Sequence, residues 1–449
     1  MTGATGPEAR TDEEWYAADA RVLAGVEKLR FFPQVVASGR GATLTTPEGG
    51  ELLDLSASWT ATGLGHAHPV VVQAVTEAMG SQAGGSVLSG THPHAVLLAE
   101  ELLEMVPTTG EDRRVYLGHA GTDANDVALR AVRHLTGRRG ILAFENGYHG
   151  GLGTAMAVSG LHVAGGATAD PDLHLVPYPD PYRAWTGSSV DLLDRTLARV
   201  EDHLARGDVA GIIVEPIQSD GGVIVPQDGF LIGLRALCDR HGTLLVVDEV
   251  KVGLGRTGHL MAHHAEDVVP DLVTLGKALG SGLPLSAVVG PAGGLDEPTA
   301  SALMTTVGNP VSCAAGRAVL GLLRDGTLAG SAIELGERMT DGLRRHAASD
   351  RPGAAHVGDV RGRGLALGVE LVHEGTHDPA PALTARTVMA AWRLGAVVYP
   401  VRDNVLEVTP PLVLTPEEAD RGVDLLTRAI DAAATGEVTD EDVAAYSGW

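Results

Sequence analysis

A chain of 449 residues, 44% of them hydrophobic, is long enough for two or three domains and a large core. Its formal net charge of −24 argues against nucleic acid or anionic membranes as partners. No apolar run reaches the length of about 18 residues that a membrane span needs, and the acidic N-terminus lacks a signal peptide's apolar stretch. Two cysteines, Cys238 and Cys313, allow at most one disulfide, which fits a reducing cytoplasm.

Residues 1 to about 12 are expected to be disordered. Glu13–Leu29 has helical spacing at Trp15, Leu23 and Val26. Gly39–Leu44 and Leu52–Leu55 read as a hairpin around Pro47-Glu48-Gly49-Gly50. Asp54–Pro69 is a long glycine-rich loop of the kind that is often functional in a compact domain. Trp59 lies near its centre, either facing a substrate or packing half-buried. Val70–Met79 and Ala95–Met105 have helical periodicity. The short strand Val115–Gly118 runs through His119–Asn125 into a helix ending near Leu135. A strand, a small-residue turn and a helix N-terminus form the arrangement whose free N–H groups and dipole hold a phosphate. Gly121 and Thr122 are the candidates there.

The next strand, Ile141–Phe144, leads to Tyr148 and His149, the latter a buried structural histidine or a catalytic one. Residues 165–190 read as a long Pro- and Gly-rich loop. The strand Ala210–Val214 ends in Glu215-Pro216-Ile217-Gln218-Ser219-Asp220-Gly221-Gly222, and a helix over Gly229–Arg240 follows. Leu244–Val247 stops at Asp248, Leu272–Leu275 precedes Lys277, and Leu285–Val289 closes the block. Short apolar runs bounded by glycine and charge fit buried parallel strands, past whose carboxyl ends chemistry collects. A helix beginning at Ala314 leads to strand patterns at Val357–Leu371 and Ala396–Val401, then to Val405–Leu412 and a helix over Pro416–Ala434. The expected division is an N-terminal segment, 1–60, that contributes to the small domain, a large domain, 61–312, and a C-terminal small domain, 313–449.

A lysine and an aspartate so placed suit pyridoxal 5'-phosphate (PLP). Such an amine condenses with the aldehyde, and such a carboxylate keeps a proton on the pyridine nitrogen. Singly, each residue reads as well as a surface lysine or a turn cap. Together, Asp248-Glu249-Val250-Lys251-Val252-Gly253-Leu254-Gly255-Arg256-Thr257-Gly258, Pro270-Asp271 and Gly276-Lys277-Ala278-Leu279-Gly280 resemble the signature of class III aminotransferase-like enzymes, fold type I of the PLP enzymes. The resemblance implies an α/β architecture: a large domain with a mostly parallel central sheet, and a smaller α+β domain. It implies that Gly121 and Thr122 hold the phosphate and that Tyr148 stacks on the ring with Val250 on the opposite face. It also implies that Glu215 supports the site and that Gln218 reaches the ring hydroxyl. Met304-Thr305-Thr306-Val307-Gly308-Asn309-Pro310 resembles T-x-x-G-N-P, in which Thr305 would reach the phosphate of a neighbouring subunit, making a homodimer with composite sites.

Leu29-Arg30-Phe31-Phe32-Pro33, the Pro177–Arg183 stretch, Glu215–Gly222, Asn404–Glu407 and the terminal Gly448-Trp449 resemble the α-amino-ε-caprolactam and amino acid amide racemase group, with some segments shared by isoleucine 2-epimerases. Racemisation needs an acid/base group on each face of Cα. Lys277 serves one face, and Asp220 is the candidate for the other, directly or through a water, unless it only stabilises its turn. Many relatives place an arginine three residues before the Pro-Pro pair, where it grips a substrate carboxylate. Here Glu407 stands there, so that a neutral acyl group would suit the site, unless Glu407 pairs with a nearby arginine and faces away. In the resemblance Trp59 lies in the substrate loop. Competing readings are an aminotransferase acting on an amine or amino acid, an amino acid 2-epimerase, and a non-catalytic α/β binding protein. No metal is expected.

Overall fold

The computed structural model describes residues 10–81 and 84–446. Most of the expected disordered start and the terminal Gly448-Trp449 therefore lie outside the described residues. Thr11 caps a helix over Asp12–Val22 through a reciprocal bond with Glu14. That helix is shorter than expected: the chain turns extended at Leu23, and only a short 3₁₀ turn, Gly25–Glu27, follows.

Seven strands form the central sheet. From one edge its strands are Arg113–Gly118, Ser286–Pro291, Leu272–Leu275, Leu244–Asp248, Val209–Val214, Gly140–Phe144 and Leu173–Val176. The last five pair in parallel. Ser286–Pro291 runs antiparallel to both its neighbours, which corrects the parallel reading of Leu285–Val289. A strand buried on both faces is apolar throughout whichever way it runs, so composition carried no sign of direction. The edge strand Leu173–Val176 also corrects the reading of residues 165–190 as loop; four residues between Pro- and Gly-rich flanks gave too short a period to register.

Helices cover both faces of this sheet and leave Val209–Val214 wholly buried. The crossovers bring the carboxyl ends of Leu272–Leu275, Leu244–Asp248 and Val209–Val214 to one sheet edge, side by side. The C-terminal part forms an antiparallel sheet of Val357–Arg363, Ala366–Leu371, Val405–Val408 and Tyr399–Val401, with helices Thr327–Ala347, Pro381–Arg393 and Pro416–Thr435. Near the N-terminus, Ser38–Arg40, Thr43–Thr45 and Glu51–Asp54 form a meander whose last strand pairs in parallel with Ala396–Val397.

Candidate active site

A cavity of about 500 Å³ opens at that sheet edge. At one end stands the N-terminus of the helix Gly121–Thr136, with Gly121 and Thr122 in the cavity wall. Asp123 Oδ2 accepts from the N–H groups of His119 at 2.9 Å and Ala120 at 3.1 Å. The next two N–H groups, those of Gly121 and Thr122, precede the first intrahelical bonds and can serve an anion. A Cβ on Gly121 would come within 2.6 Å of Val250 Cγ1, so the close approach of the two requires glycine.

Asp248 also lines the wall. Its Oδ1 accepts from Val250 N at 3.1 Å, and its Oδ2 from Asn125 Nδ2 at 2.8 Å. The His149 ring Nδ1 also stands 2.8 Å from Oδ2. Asn125 donates further to the His149 carbonyl at 2.7 Å, tying the two supports together. His149 is therefore a buried partner of Asp248. Tyr148 and Val250 both line the cavity. Glu215 accepts from Tyr148 N at 3.0 Å and Ser219 N at 3.1 Å; burial pushes its carboxyl up to about 7.

Lys277 follows Leu272–Leu275 in a 3₁₀ turn, with φ +44. It lines the cavity. Burial, and then the neighbouring Lys251, push its amine below the ordinary lysine range, which favours the nucleophilic free base. An anion-holding helix end, a carboxylate braced to hold a ring N–H and a primary amine of lowered basicity fit PLP.

Lys251 was not singled out from the sequence. It is buried, and its Nζ stands 2.8 Å from Asp220 Oδ1 and 2.9 Å from Glu407 Oε1. Burial alone would raise the Asp220 carboxyl, but Lys251 and Lys277 outweigh it and hold Asp220 below the usual range. Glu407 is raised by its burial and by Asp220. Burial would lower the Lys251 amine, yet its two carboxylates drive it well above the ordinary value. The signal available in the sequence was charge balance: two carboxylates expected in one apolar pocket demand a cation.

Four expected site residues do not line the cavity. Glu407 stands behind Lys251, paired to this lysine rather than to an arginine. Gln218 turns its amide to the Glu145 carbonyl at 2.8 Å. Trp59 stacks on Tyr399 at 4.6 Å, and Lys251 Nζ lies 5.2 Å over its indole. Thr305 is exposed, while Thr306 meets His119 Nε2 at 2.8 Å. Among the described residues no His/Cys/Asp/Glu group could hold a metal, and no helix is long and apolar enough to cross a membrane.

Residues 25–430 match the aminotransferase class-III family model. The chain is 35% identical to an alanine/serine racemase of Pyrococcus horikoshii, covering 96% of this chain and 92% of that protein. It is 37% identical to an acetylornithine aminotransferase of Corynebacterium efficiens, covering 89% and 92%. A solved ornithine aminotransferase from Toxoplasma gondii, described with partial PLP occupancy at its active site, superposes with a TM-score of 0.83 at 28% identity over 96% of both chains. The chain is a PLP enzyme of fold type I and belongs to the class III aminotransferase family.

Proposed function

We propose that this enzyme racemises small α-amino compounds with a neutral acyl group, amino acid amides or α-amino-ε-caprolactam, by proton transfer on both faces of Cα. The observation that carries the reading is the placement of three side chains on neighbouring strand ends. Asp248 ends the middle strand. Lys277 follows the strand on one side of it, and Asp220 the strand on the other. When bound, PLP draws the electron pair of a broken Cα bond into its ring. Gly121 and Thr122 would hold its phosphate, Asp248 its ring nitrogen, and Tyr148 and Val250 its two faces. Lys277, as a free amine of lowered basicity, accepts a proton from Cα on its own side. Asp220, kept ionised by Lys251, exchanges one on the other, which is the arrangement two-base racemisation needs. The neutral acyl preference is supported by a cavity wall without arginine among the described residues, and by Lys251 being already committed to two carboxylates.

A second reading, racemisation or epimerisation of free amino acids, is favoured by the Pyrococcus relative and by Lys251, the wall's other cation. Lys251 could lend part of its charge to a carboxylate. The test is a chirally resolved panel of lactam, amides and free amino acids in deuterated water, run first without keto acid and then with one added. Racemic, α-deuterated amide or lactam is expected. Racemate only from free acids favours the second reading, and product only with a keto acid present favours transamination.

The homodimer is proposed on the exposed apolar residues Val70, Val72 and Met79 of one helix, with Leu303 beside the Thr305 segment. Cytoplasmic placement is proposed on Cys238 and Cys313, which are both buried and free.

A further inference from the structure

Asp220 sits on the tight turn Ser219–Val223, and that turn is strained. Gly222 has φ +117 and Val223 φ +51. The first costs a glycine little. The second, for a β-branched residue, is an outlier that persists only where the surroundings impose it. Within the turn, Ser219 O accepts from Gly222 N at 2.9 Å and Val223 N at 2.8 Å. Gln218 and Ile224 exchange backbone bonds at 3.0 and 2.9 Å beneath it.

The carbonyls of Gly222 and Val223 are left for an outside donor, and one guanidinium takes both. Arg361 Nε donates to Gly222 O at 3.1 Å and Val223 O at 3.2 Å, and Nη2 donates to Gly222 O at 2.6 Å. Arg361 comes from the small-domain strand Val357–Arg363. Its other edge is seated on Asp359 at 3.0 Å and Glu370 at 2.6 Å. Glu370, 1% exposed, is itself fixed by Arg183 Nε at 2.6 Å and Asn404 Nδ2 at 3.2 Å. Arg402, bonded to Asp180 at 3.1 Å, reaches Gly221 O at 3.5 Å. Behind the turn, Gly368 leaves room for the Val223 side chain: a Cβ there would stand 2.9 Å from Val223 Cβ. Only the planar fork of an arginine serves two carbonyls and two carboxylates at once; a lysine ammonium is a point donor.

Neither Arg361 nor Glu370 lines the cavity. We infer that Arg361, seated on Glu370, is a positioning residue for proton transfer on the Asp220 face, because it imposes the strained turn that aims the Asp220 carboxylate. The inference rests on the two-face reading above. Lys277 stands on a different turn and owes nothing to this clasp, so the effect of loosening it is one-sided. A displacement of about 1 Å at a reacting group can cost roughly a hundredfold.

The experiment uses the holoenzyme of wild type, Arg361→Lys and Glu370→Gln. It measures initial α-deuterium exchange separately from L- and D-alaninamide and from L- and D-alanine. Arg361→Lys is expected to slow exchange from one enantiomer at least about tenfold and leave the other within about twofold, with the cofactor's visible band unchanged. Glu370→Gln should show the same asymmetry more weakly, and it decides the matter if Arg361→Lys does not fold. Equal slowing of both enantiomers, or of neither, in folded holoenzyme overturns the inference while leaving the two-face reading intact. If wild type itself exchanges only one enantiomer of either compound, the two-face reading falls, and this inference with it.

Discussion

Lys251 is the residue on which the charge state of the pocket depends. It is one cation between two buried carboxylates, Asp220 and Glu407. Replacing it with methionine strands both, and breaking a buried pair from one side costs about 3–5 kcal/mol. In Lys251→Met the Asp220 carboxyl, held low in wild type, would rise above its unfolded value, and Glu407, already raised, would rise further. Their protonated forms then fit the fold, and stability is lost as pH rises through the raised values. The melting temperature of the cofactor-free variant should therefore fall more steeply from pH 5 to pH 8 than that of wild type; parallel curves would contradict this. Glu215, raised by burial from 4.5 to about 7, acts in the same sense in wild type. Its contribution is full below about 4.5 and lost as pH rises through about 7, so Glu215→Gln should flatten the wild-type slope over that window. Any cost of replacing an acceptor that serves two N–H groups would be a constant offset.

At the scale of elements, the loop Asp54–Pro69 contains a feature composition could not announce. Ala57, Ser58, Trp59 and Thr60 have φ of 48, 50, 58 and 65, four consecutive left-handed residues without a glycine. Each costs roughly 1–2 kcal/mol, so the turn stores strain beside the site. Ser58 is exposed. Ser58→Gly should relieve its share, offset by the freer unfolded chain, for a net gain of up to about 1 kcal/mol in thermal denaturation; a loss of stability would contradict the assignment of strain.

Much of the fold was legible because strands ending in Glu215, Asp248 and Lys277 combine short apolar runs with abrupt polar stops. The helix after Gly121 announced itself the same way. Strand direction at Ser286–Pro291 and the short edge strand Leu173–Val176 left no periodic trace. Of the cavity wall, Lys277, Asp248 and the helix end at Gly121 stood out in the sequence because an amine, a carboxylate and a glycine turn each follow an apolar run, whereas Tyr148 and Val250 carried no such signal and entered only with the resemblance to class III enzymes. Lys251, Asn125 and Arg361 did not stand out. Each acts by closing a charge or hydrogen-bond balance between elements far apart in sequence, which only the folded chain brings together.

For the whole molecule, the proposed homodimer, with Thr305 reaching the neighbouring subunit's site, can be tested separately. Thr305→Ala should weaken PLP affinity by about tenfold in a homodimer, the size expected for one lost charge-assisted hydrogen bond. Mixed with Lys277→Ala subunits, hybrids would contain one site with its own Lys277 and the partner's intact Thr305, restoring native affinity at that site. Hybrids that bind no better than the Thr305→Ala homodimer would contradict the shared site. Opposed proton transfer at one carbon is tested most directly on Asp220→Asn holoenzyme. Because the two enantiomers are equal in energy, racemisation must slow equally in both directions and cannot tell the faces apart. Exchange with retention can. Measured in deuterated water on each enantiomer of the best-racemised substrate, α-deuterium wash-in should persist from the enantiomer that Lys277 deprotonates and fall at least about a hundredfold from the other, within the range of general acid–base contributions. Equal loss from both enantiomers, or racemisation unchanged from wild type, would contradict the account.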